Sequence, residues 1–90
     1  MRFTWDAGKA NFNLRKHGLS FQEATTAFRD PLSITGYDPD HSTDEDRFVT
    51  FGVSNQGRLL AVSHTEEDKV IRIISCRLAT KQEKKIYEEG

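Results

Sequence analysis

Ninety residues and a mass of 10.3 kDa are enough for one modest hydrophobic core, so we expect residues 1–90 to form a single domain. With 36% apolar and 30% charged residues the composition excludes a disordered chain, and the apolar runs are too short for a membrane span or a secretion signal, which favours a cytoplasmic protein. The net charge of −1 is uneven, because segment 38–46 carries −5 and leaves +4 on the rest of the chain.

The first third of the chain predicts a short strand and a helix. Residues 1–5 alternate between polar and apolar side chains and predict the strand. The helix should begin after the N-cap Asp6 and end near residue 17, since Gly18 can adopt the left-handed conformation that ends a helix. We expect its inward face to carry Ala7, Ala10 and Leu14.

A second helix is predicted by the capping box that begins at Ser20 and ends at Glu23. The helix should continue to about Arg29, because the pair Asp30-Pro31 does not extend a helix. Its core-facing side chains would be Phe21, Ala24 and Phe28.

An alternating apolar pattern predicts β-strands from Leu32 onward. They would cover residues 32–37, 47–54, 58–65 and 69–77, connected by the acidic loop 38–46 and by turns at 55–57 and 66–68. A second capping box, from Thr80 to Glu83, predicts a C-terminal helix that ends near residue 89. The expected fold class is α+β: a small antiparallel sheet of three to four strands, two N-terminal helices packed on one face, and a C-terminal helix.

Three-residue turns in both hairpins would divide the strand side chains between two faces of the sheet. The face expected to meet the two helices carries Val49, Phe51, Val53, Leu59, Ala61, Ile71 and Ile73. The other face mixes apolar and polar groups and is a candidate binding surface, with Phe48, Thr50, Leu60, Val62, His64, Val70, Arg72, Ile74 and Cys76. Arg47, Ser75 and Arg77 would project from strand ends on the core side, where they could line a rim next to the C-terminal helix. A two-residue turn at Gln56-Gly57 would instead exchange the two faces of the preceding strand.

The segment from Arg72 to Arg77 is the most informative for function. A guanidinium keeps its charge and is costly to bury alone, so two arginines in an otherwise apolar strand indicate a nearby phosphate or carboxylate. His64 shares the predicted face of Arg72 and suits proton transfer, although chance burial of a histidine explains its position equally well. Tyr87 lies four residues after Glu83 on one side of the last helix, where a tyrosine at the edge of the core is the simpler interpretation.

Metal and cofactor sites are not predicted. One cysteine and three scattered histidines do not provide the paired ligands of a zinc site. The acidic segment around Asp38, Asp40 and His41 lacks the glycine and the closing glutamate of a calcium loop, so a solvated loop is the better interpretation. Cys76 is expected to be a small buried hydrophobe, and His17 to stabilise the C-terminus of the first helix.

Several blocks of sequence carry a resemblance to a known family: Phe3-Thr4-Trp5-Asp6, the run from Asn13 to Phe21, Asp46-Arg47-Phe48, Gly57-Arg58-Leu59-Leu60, His64-Thr65, Arg72-Ile73-Ile74-Ser75-Cys76-Arg77, and Glu83 with Tyr87. With these blocks the chain resembles the BrnT family over nearly its whole length. The last strand of that family commonly reads Arg-Ile-Ile-Ser-Ala-Arg, and Cys76 here replaces the small alanine.

The resemblance implies a toxin of a bacterial type II toxin-antitoxin system, a small ribonuclease with a RelE-like fold. It also implies a BrnA-like antitoxin with a ribbon-helix-helix DNA-binding domain, which would bring the toxin to promoter DNA as a co-repressor. Cleavage of RNA without a metal needs a base for the 2′-hydroxyl, cations for the phosphorane and a proton donor.

Our sequence-based hypothesis distributes these roles over five residues. It assigns the phosphate charge to Arg72 and Arg77 with support from Arg47, proton transfer to His64, and substrate orientation to Tyr87. The alternative function is a binding module or co-repressor without catalysis, whose mixed face only docks the antitoxin.

Overall fold

A computed structural model describes all residues from 1 to 90 and contains three α-helices and five β-strands. The strands are β1 (Arg2–Trp5), β2 (Ile34–Tyr37), β3 (Phe48–Val53), β4 (Leu59–Glu67) and β5 (Val70–Leu78). The helices are α1 (Ala7–His17), α2 (Phe21–Ala27) and α3 (Lys81–Glu89), and a 3-10 turn covers Pro39–His41. None of the three helices combines the length and the apolar character that crossing a lipid bilayer requires.

The strands form one mixed sheet in the order β1-β5-β4-β3-β2. Strands β2 to β5 pair antiparallel, whereas β1 runs parallel to β5, with Phe3 beside Ile71 and Trp5 beside Ile73. The fold is α+β as expected, but the sheet has five strands instead of three to four and is not purely antiparallel. The N-terminal strand pairs with the last strand of the chain, and hairpin lengths carry no information about such a distant pairing.

The helices end where the sequence provides capping residues. The Asp6 carboxylate accepts a hydrogen bond from the first turn of α1, and Gly18 ends that helix with a left-handed φ of 69°. Helix α3 begins with a complete capping box. At α2 the Glu23 side chain instead binds Ser54 and Arg58, so it fixes the helix to the turn that follows β3.

The hydrophobic core lies between the sheet and helices α1 and α2. Its buried members are Leu19, Phe21, Ala24, Ala27, Leu60, Val62, Ile71, Ile73 and Cys76. Burial of one large apolar side chain contributes about 1.5–3 kcal/mol of stability. Two of the predicted core positions of α2, Phe21 and Ala24, are therefore confirmed as buried. Phe28 follows the end of the helix and is partly buried against the core.

Helices α1 and α2 cover the face of β3 and β4 that was predicted to point away from them. The register between these strands is as predicted, with Phe51 opposite Ala61. However, it is Leu60, Val62 and His64 that point into the core, where they are fully buried. Polar residues on that face misled the prediction. The Thr50 hydroxyl and His64 Nε2 bond each other inside the protein, whereas His64 Nδ1 is buried without a hydrogen-bond partner.

The turn between β4 and β5 also differs from the prediction. It has two residues instead of three, since Asp68 and Lys69 both adopt left-handed backbone, with φ values of 52° and 65°. Removing one residue from the turn exchanges the faces of the strand that follows. Ile71 and Ile73 consequently join the core on the side of α1 and α2.

Helix α1 meets the sheet through a polar residue that the apolar pattern did not indicate. The Asn13 side chain is buried, donates to the Cys76 carbonyl at 2.8 Å and accepts from the Cys76 N–H at 2.9 Å. It also donates to the Leu19 carbonyl at 3.0 Å. Two of the residues predicted to face inward, Ala7 and Leu14, are exposed. Strand β1 pairs with β5 only as far as Ile73. Beyond that point the Asn13 amide makes the main-chain hydrogen bonds with Cys76 that a neighbouring strand would otherwise make.

Helix α2 approaches the sheet at Gly52, and the contact gives a prediction for stability. A β-carbon at this position would lie 2.3 Å from the carbonyl oxygen of Ala27, at the end of α2. Gly52→Ala should therefore lower the free energy of unfolding by about 1–3 kcal/mol, as overpacking does in other cores. Chemical denaturation measures this directly.

Gly36→Ala in β2 is the matched control for Gly52→Ala. A β-carbon at Gly36 would meet no atom within 4 Å, and the residue has no positive φ. Its unfolding free energy should stay within about 0.5 kcal/mol of the wild type. Equal stability of the two variants would contradict the close approach of α2 at Gly52.

Candidate active site

The side of the sheet that faces away from α1 and α2 carries the arginines that the sequence singled out. We call this side the open face. A pocket of about 330 Å³ on the open face is lined by Asp38, His41, Arg47, Val49, Ser63, Ile74, Ser75 and Arg77, and we call it the arginine pocket. The structure brings Arg47, Ser75 and Arg77 together in this pocket, and Arg77 contacts Glu83 of α3. They lie on the open face, whereas the strand pairing predicted them on the side covered by the two N-terminal helices.

An irregularity in β5 brings Arg72 to the same face as Arg77. The two residues are five positions apart, so a regular strand would point them to opposite faces. The register shifts between Ser63 and His64 on β4, where β5 contains one extra residue, Ile74. The prediction assumed a regular strand and placed Arg72 on the face of His64, and this was wrong.

Arg47 is the most informative cation of the pocket. Its Nε–H is buried and has no hydrogen-bond acceptor within the protein. Its Nη2 lies 3.8 Å from a carboxylate oxygen of Glu45. The backbone of Arg47 anchors the acidic loop, since its N–H donates to the Ser42 hydroxyl and its carbonyl accepts from the N–H of Asp38. The Nη2 contact with Glu45 is longer than a hydrogen bond, so the guanidinium keeps N–H donors for an anion in the pocket.

The other two arginines are held in place by carboxylates. Arg77 donates to both oxygens of Glu83 at 2.7 and 2.9 Å, and this pairing lowers the pKa of Glu83 to about 2. Nη2 of Arg72 lies 2.6 Å from both oxygens of Glu45, and this hydrogen bonding lowers the pKa of Glu45. A guanidinium has five N–H donors, so both arginines keep donors for a ligand.

A histidine-aspartate pair lines the same pocket, and sequence reasoning missed its role. His41 Nδ1 lies 2.9 Å from the Asp38 carboxylate, and the imidazole is 67% exposed. The short 3-10 turn Pro39–His41 brings these two residues together. The signal was present as an aspartate three residues before a histidine, but the sequence analysis considered this segment only as a metal loop or a solvated loop.

His64 is buried in the core and does not face the arginine pocket. Its Nε2 lies 2.7 Å from the Thr50 hydroxyl, which in turn bonds the hydroxyl of Thr35. The rings of Phe28 and Phe48 pack on it, and burial lowers the pKa of His64. The predicted placement of His64 on the face of Arg72 is therefore wrong. The Thr50 hydroxyl pairs with Nε2, while Nδ1 is buried without a hydrogen-bond partner.

Tyr87 connects α3 to the loop after α2. Its hydroxyl donates to the Asp30 carboxylate, which also accepts from the N–H of Val53 at 2.8 Å. The bond to Asp30 raises the pKa of Tyr87. Tyr87 does not line the arginine pocket, and its geometry matches the simpler interpretation of a tyrosine at the edge of the core.

Cys76 and the acidic side chains contribute no further reactive site. Cys76 is buried, and burial raises the pKa of its thiol to about 12. A thiol of this kind is a poor nucleophile at neutral pH. No three His, Cys, Asp or Glu side chains form a cluster that could hold a metal ion.

Comparison with known families decides the family of this chain. A family model described as ribonuclease toxin, BrnT, of type II toxin-antitoxin system matches residues 5–83. The chain belongs to the BrnT family. The solved structure of the Brucella abortus ribonuclease toxin BrnT is similar, with a TM-score of 0.65 and 25% sequence identity, over 90% of this chain and 99% of that one. No curated protein gives a significant match.

BrnT family membership confirms the resemblance read from the sequence. The family consists of ribonuclease toxins of type II toxin-antitoxin systems, so membership implies a ribonuclease toxin with an antitoxin as its partner.

Proposed function

We propose that this chain is a metal-independent endoribonuclease that cleaves RNA in the arginine pocket and is neutralised by a BrnA-like antitoxin. One observation carries the proposal: two guanidiniums, two serine hydroxyls and a histidine-aspartate pair surround a single pocket. Such a set supplies anion binding and proton transfer from protein side chains alone. A RelE-like toxin of this kind would act in the cytoplasm, where its RNA substrate is found.

In this proposal Arg47 and Arg77 bind the phosphate at the cleaved bond. Both line the pocket together with Ser63 and Ser75, whose hydroxyls can donate to non-bridging phosphate oxygens. These donors would stabilise the additional negative charge of the phosphorane. Arg72 would release the Glu45 carboxylate and bind an adjacent phosphate in its place.

His41 takes the role of base that the sequence analysis gave to His64. If Nδ1–H donates to the Asp38 carboxylate, Nε2 keeps its lone pair and can accept the proton of the 2′-hydroxyl. The 2′-oxygen then bonds to phosphorus while the bond from phosphorus to the 5′-oxygen breaks, and the leaving oxygen takes a proton from water. The products are a 2′,3′-cyclic phosphate and a 5′-hydroxyl. Asp38 would stabilise the imidazolium that forms.

The proposed partner is a BrnA-like antitoxin with a ribbon-helix-helix domain, which would carry the toxin to promoter DNA as a co-repressor. Membership of a type II toxin family supports a protein antitoxin. Large apolar side chains that are about half exposed provide surface for such a partner, namely Leu14, Leu78 and Ile86.

A binding module without catalysis is the second candidate function. The observation in its favour is that Arg72 and Arg77 already pair with carboxylates of the chain itself, as structural arginines do. In that case the open face would dock the antitoxin and leave RNA intact.

Cleavage of RNA by the purified chain in excess EDTA tests the proposed function. We expect cleavage to continue, because no step uses a metal, and the fragments to end in 2′,3′-cyclic phosphate and 5′-hydroxyl groups. Mass spectrometry of the fragments identifies these ends. A substrate with 2′-deoxyribose at the cleaved position should resist, since it lacks the attacking oxygen.

Two results would contradict the proposed function. Complete loss of activity in EDTA, restored by a divalent cation, would contradict the metal-free mechanism. A folded protein that is inert toward RNA, and harmless when expressed without its antitoxin, would favour the binding module.

A further inference from the structure

A second concave surface lies on the other side of β5 from the arginine pocket. It is a groove of about 520 Å³ between α1 and β5, and we call it the α1 groove. Lys9, Phe12, Lys16 and His17 of α1 line it together with Ile74 and Ser75 of β5. Asp6 is its one carboxylate, against two lysines. None of the α1 residues takes part in the proposed chemistry.

We propose that the α1 groove binds RNA nucleotides that flank the cleaved phosphate. The inference rests on the proposed ribonuclease function, since it extends the path of the same substrate. The α1 groove is continuous with the arginine pocket, because Ile74 and Ser75 line both. A strand of RNA that leaves the pocket past Ser75 would enter the groove directly.

The side chains of the α1 groove match the chemistry of single-stranded RNA. Lys9 and Lys16 offer ammonium groups for backbone phosphates. The ring of Phe12 is 57% exposed, which leaves it available for stacking on a base. Lys16 Nζ lies 5.7 Å from the centre of that ring, so one charge and one aromatic surface are presented together.

Charge distinguishes the α1 groove from the other large concavity of the molecule. A pocket of about 550 Å³ at the turn between β4 and β5 is lined by Glu66, Glu67 and Asp68, with Lys69 as its one basic residue. That surface would repel a phosphate backbone. Of the two sites, only the α1 groove combines cations with continuity to the arginine pocket.

Binding of an uncleavable 2′-O-methyl RNA of about ten nucleotides tests the inference without depending on catalysis. Lys16→Gln should weaken binding roughly three- to ten-fold at 0.1 M salt, and should reduce the slope of log K against log salt by about 0.7. Arg15→Gln is the matched control, because it removes the same charge from the neighbouring exposed position, which does not line the groove. It should leave the affinity and the slope close to those of the wild type.

Variants of Phe12 test stacking separately from charge. Phe12→Leu should weaken RNA binding roughly 5- to 150-fold and leave the salt slope unchanged. Phe12→Tyr keeps an aromatic ring and should retain the affinity of the wild type. In cleavage assays both Lys16→Gln and Phe12→Leu should raise KM for the oligonucleotide without lowering kcat. Neither substitution should affect the cleavage of a dinucleotide, because a dinucleotide is too short to reach the groove.

The results separate this inference from the proposed function. If the protein binds RNA with the expected salt slope and the expected losses in Lys16→Gln and Phe12→Leu, but cleaves no RNA, the proposed function is contradicted. The α1 groove would then still be an RNA-binding site. Equal losses for Lys16→Gln and Arg15→Gln would show a diffuse charge effect and overturn the inference. It would also be overturned if Lys16→Gln and Phe12→Leu weakened binding of the antitoxin but not of RNA.

Discussion

Replacing His41 with alanine is expected to lower the rate of RNA cleavage by about 10²–10⁴-fold, because the substitution removes the proposed base. The imidazole is 67% exposed and forms a hydrogen bond to the Asp38 side chain. The melting temperature of His41→Ala should therefore be close to that of the wild type. Single-turnover cleavage and thermal denaturation of the same preparation check both parts. His64→Ala should behave differently and unfold at a markedly lower temperature, since His64 lies in the core.

The neighbouring aspartates provide a matched pair for the same mechanism. In Asp38→Asn the amide can donate to Nδ1 of His41, which moves the ring proton to Nε2 and blocks the base, so a loss on the order of 10²-fold or more is expected. Asp40→Asn makes the same change at an exposed residue that does not line the pocket, and should keep roughly wild-type activity. Full activity in His41→Ala would remove this histidine from the mechanism.

Asn13→Asp is expected to be strongly destabilising. The carboxylate could still accept from the N–H of Cys76, but it has no N–H to donate to the carbonyls of Cys76 and Leu19. Two buried acceptors would lose their partners beside a buried negative charge, at a cost of about 3 kcal/mol or more. For a domain of this size that corresponds to a fall in melting temperature of roughly 12 °C or more.

Asn11→Asp is the control for Asn13→Asp, because it makes the same change two residues earlier on α1 at an exposed position. Its unfolding free energy should stay within about 0.5 kcal/mol of the wild type. Comparable stability of the two variants, measured by denaturant titration, would mean that the Asn13 amide does not hold β5.

Local features of the fold could be predicted because each depends on a few adjacent residues. Asp6 and Gly18 define the ends of α1, and the turn at residues 55–57 sets the register of β3 with β4. The path of β5 could not be predicted in this way. It depends on two non-glycine residues with left-handed backbone at Asp68 and Lys69 and on the extra residue Ile74, and neither feature has a strong sequence signal.

The candidate site was predictable in its cations but not in its proton carrier. Arg47 and Arg77 face one pocket as the strand pattern indicated, and Arg72 reaches the same face through the bulge at Ile74. His64 was the wrong histidine because an alternating pattern does not reveal that its imidazole is buried in the core, with Nε2 against the Thr50 hydroxyl. His41 lies in a loop without periodicity, where only the three-dimensional path of the chain places it in the pocket.

The contact of Asn13 with β5 also affects how the toxin behaves at high concentration. An uncovered strand edge can recruit a strand from another molecule and start aggregation. The Asn13 amide occupies both main-chain hydrogen-bonding groups of Cys76, at the stretch of β5 that β1 leaves uncovered. A side chain on a helix thus closes the edge to a foreign strand, and a variant without this amide would be expected to self-associate as well as to melt early.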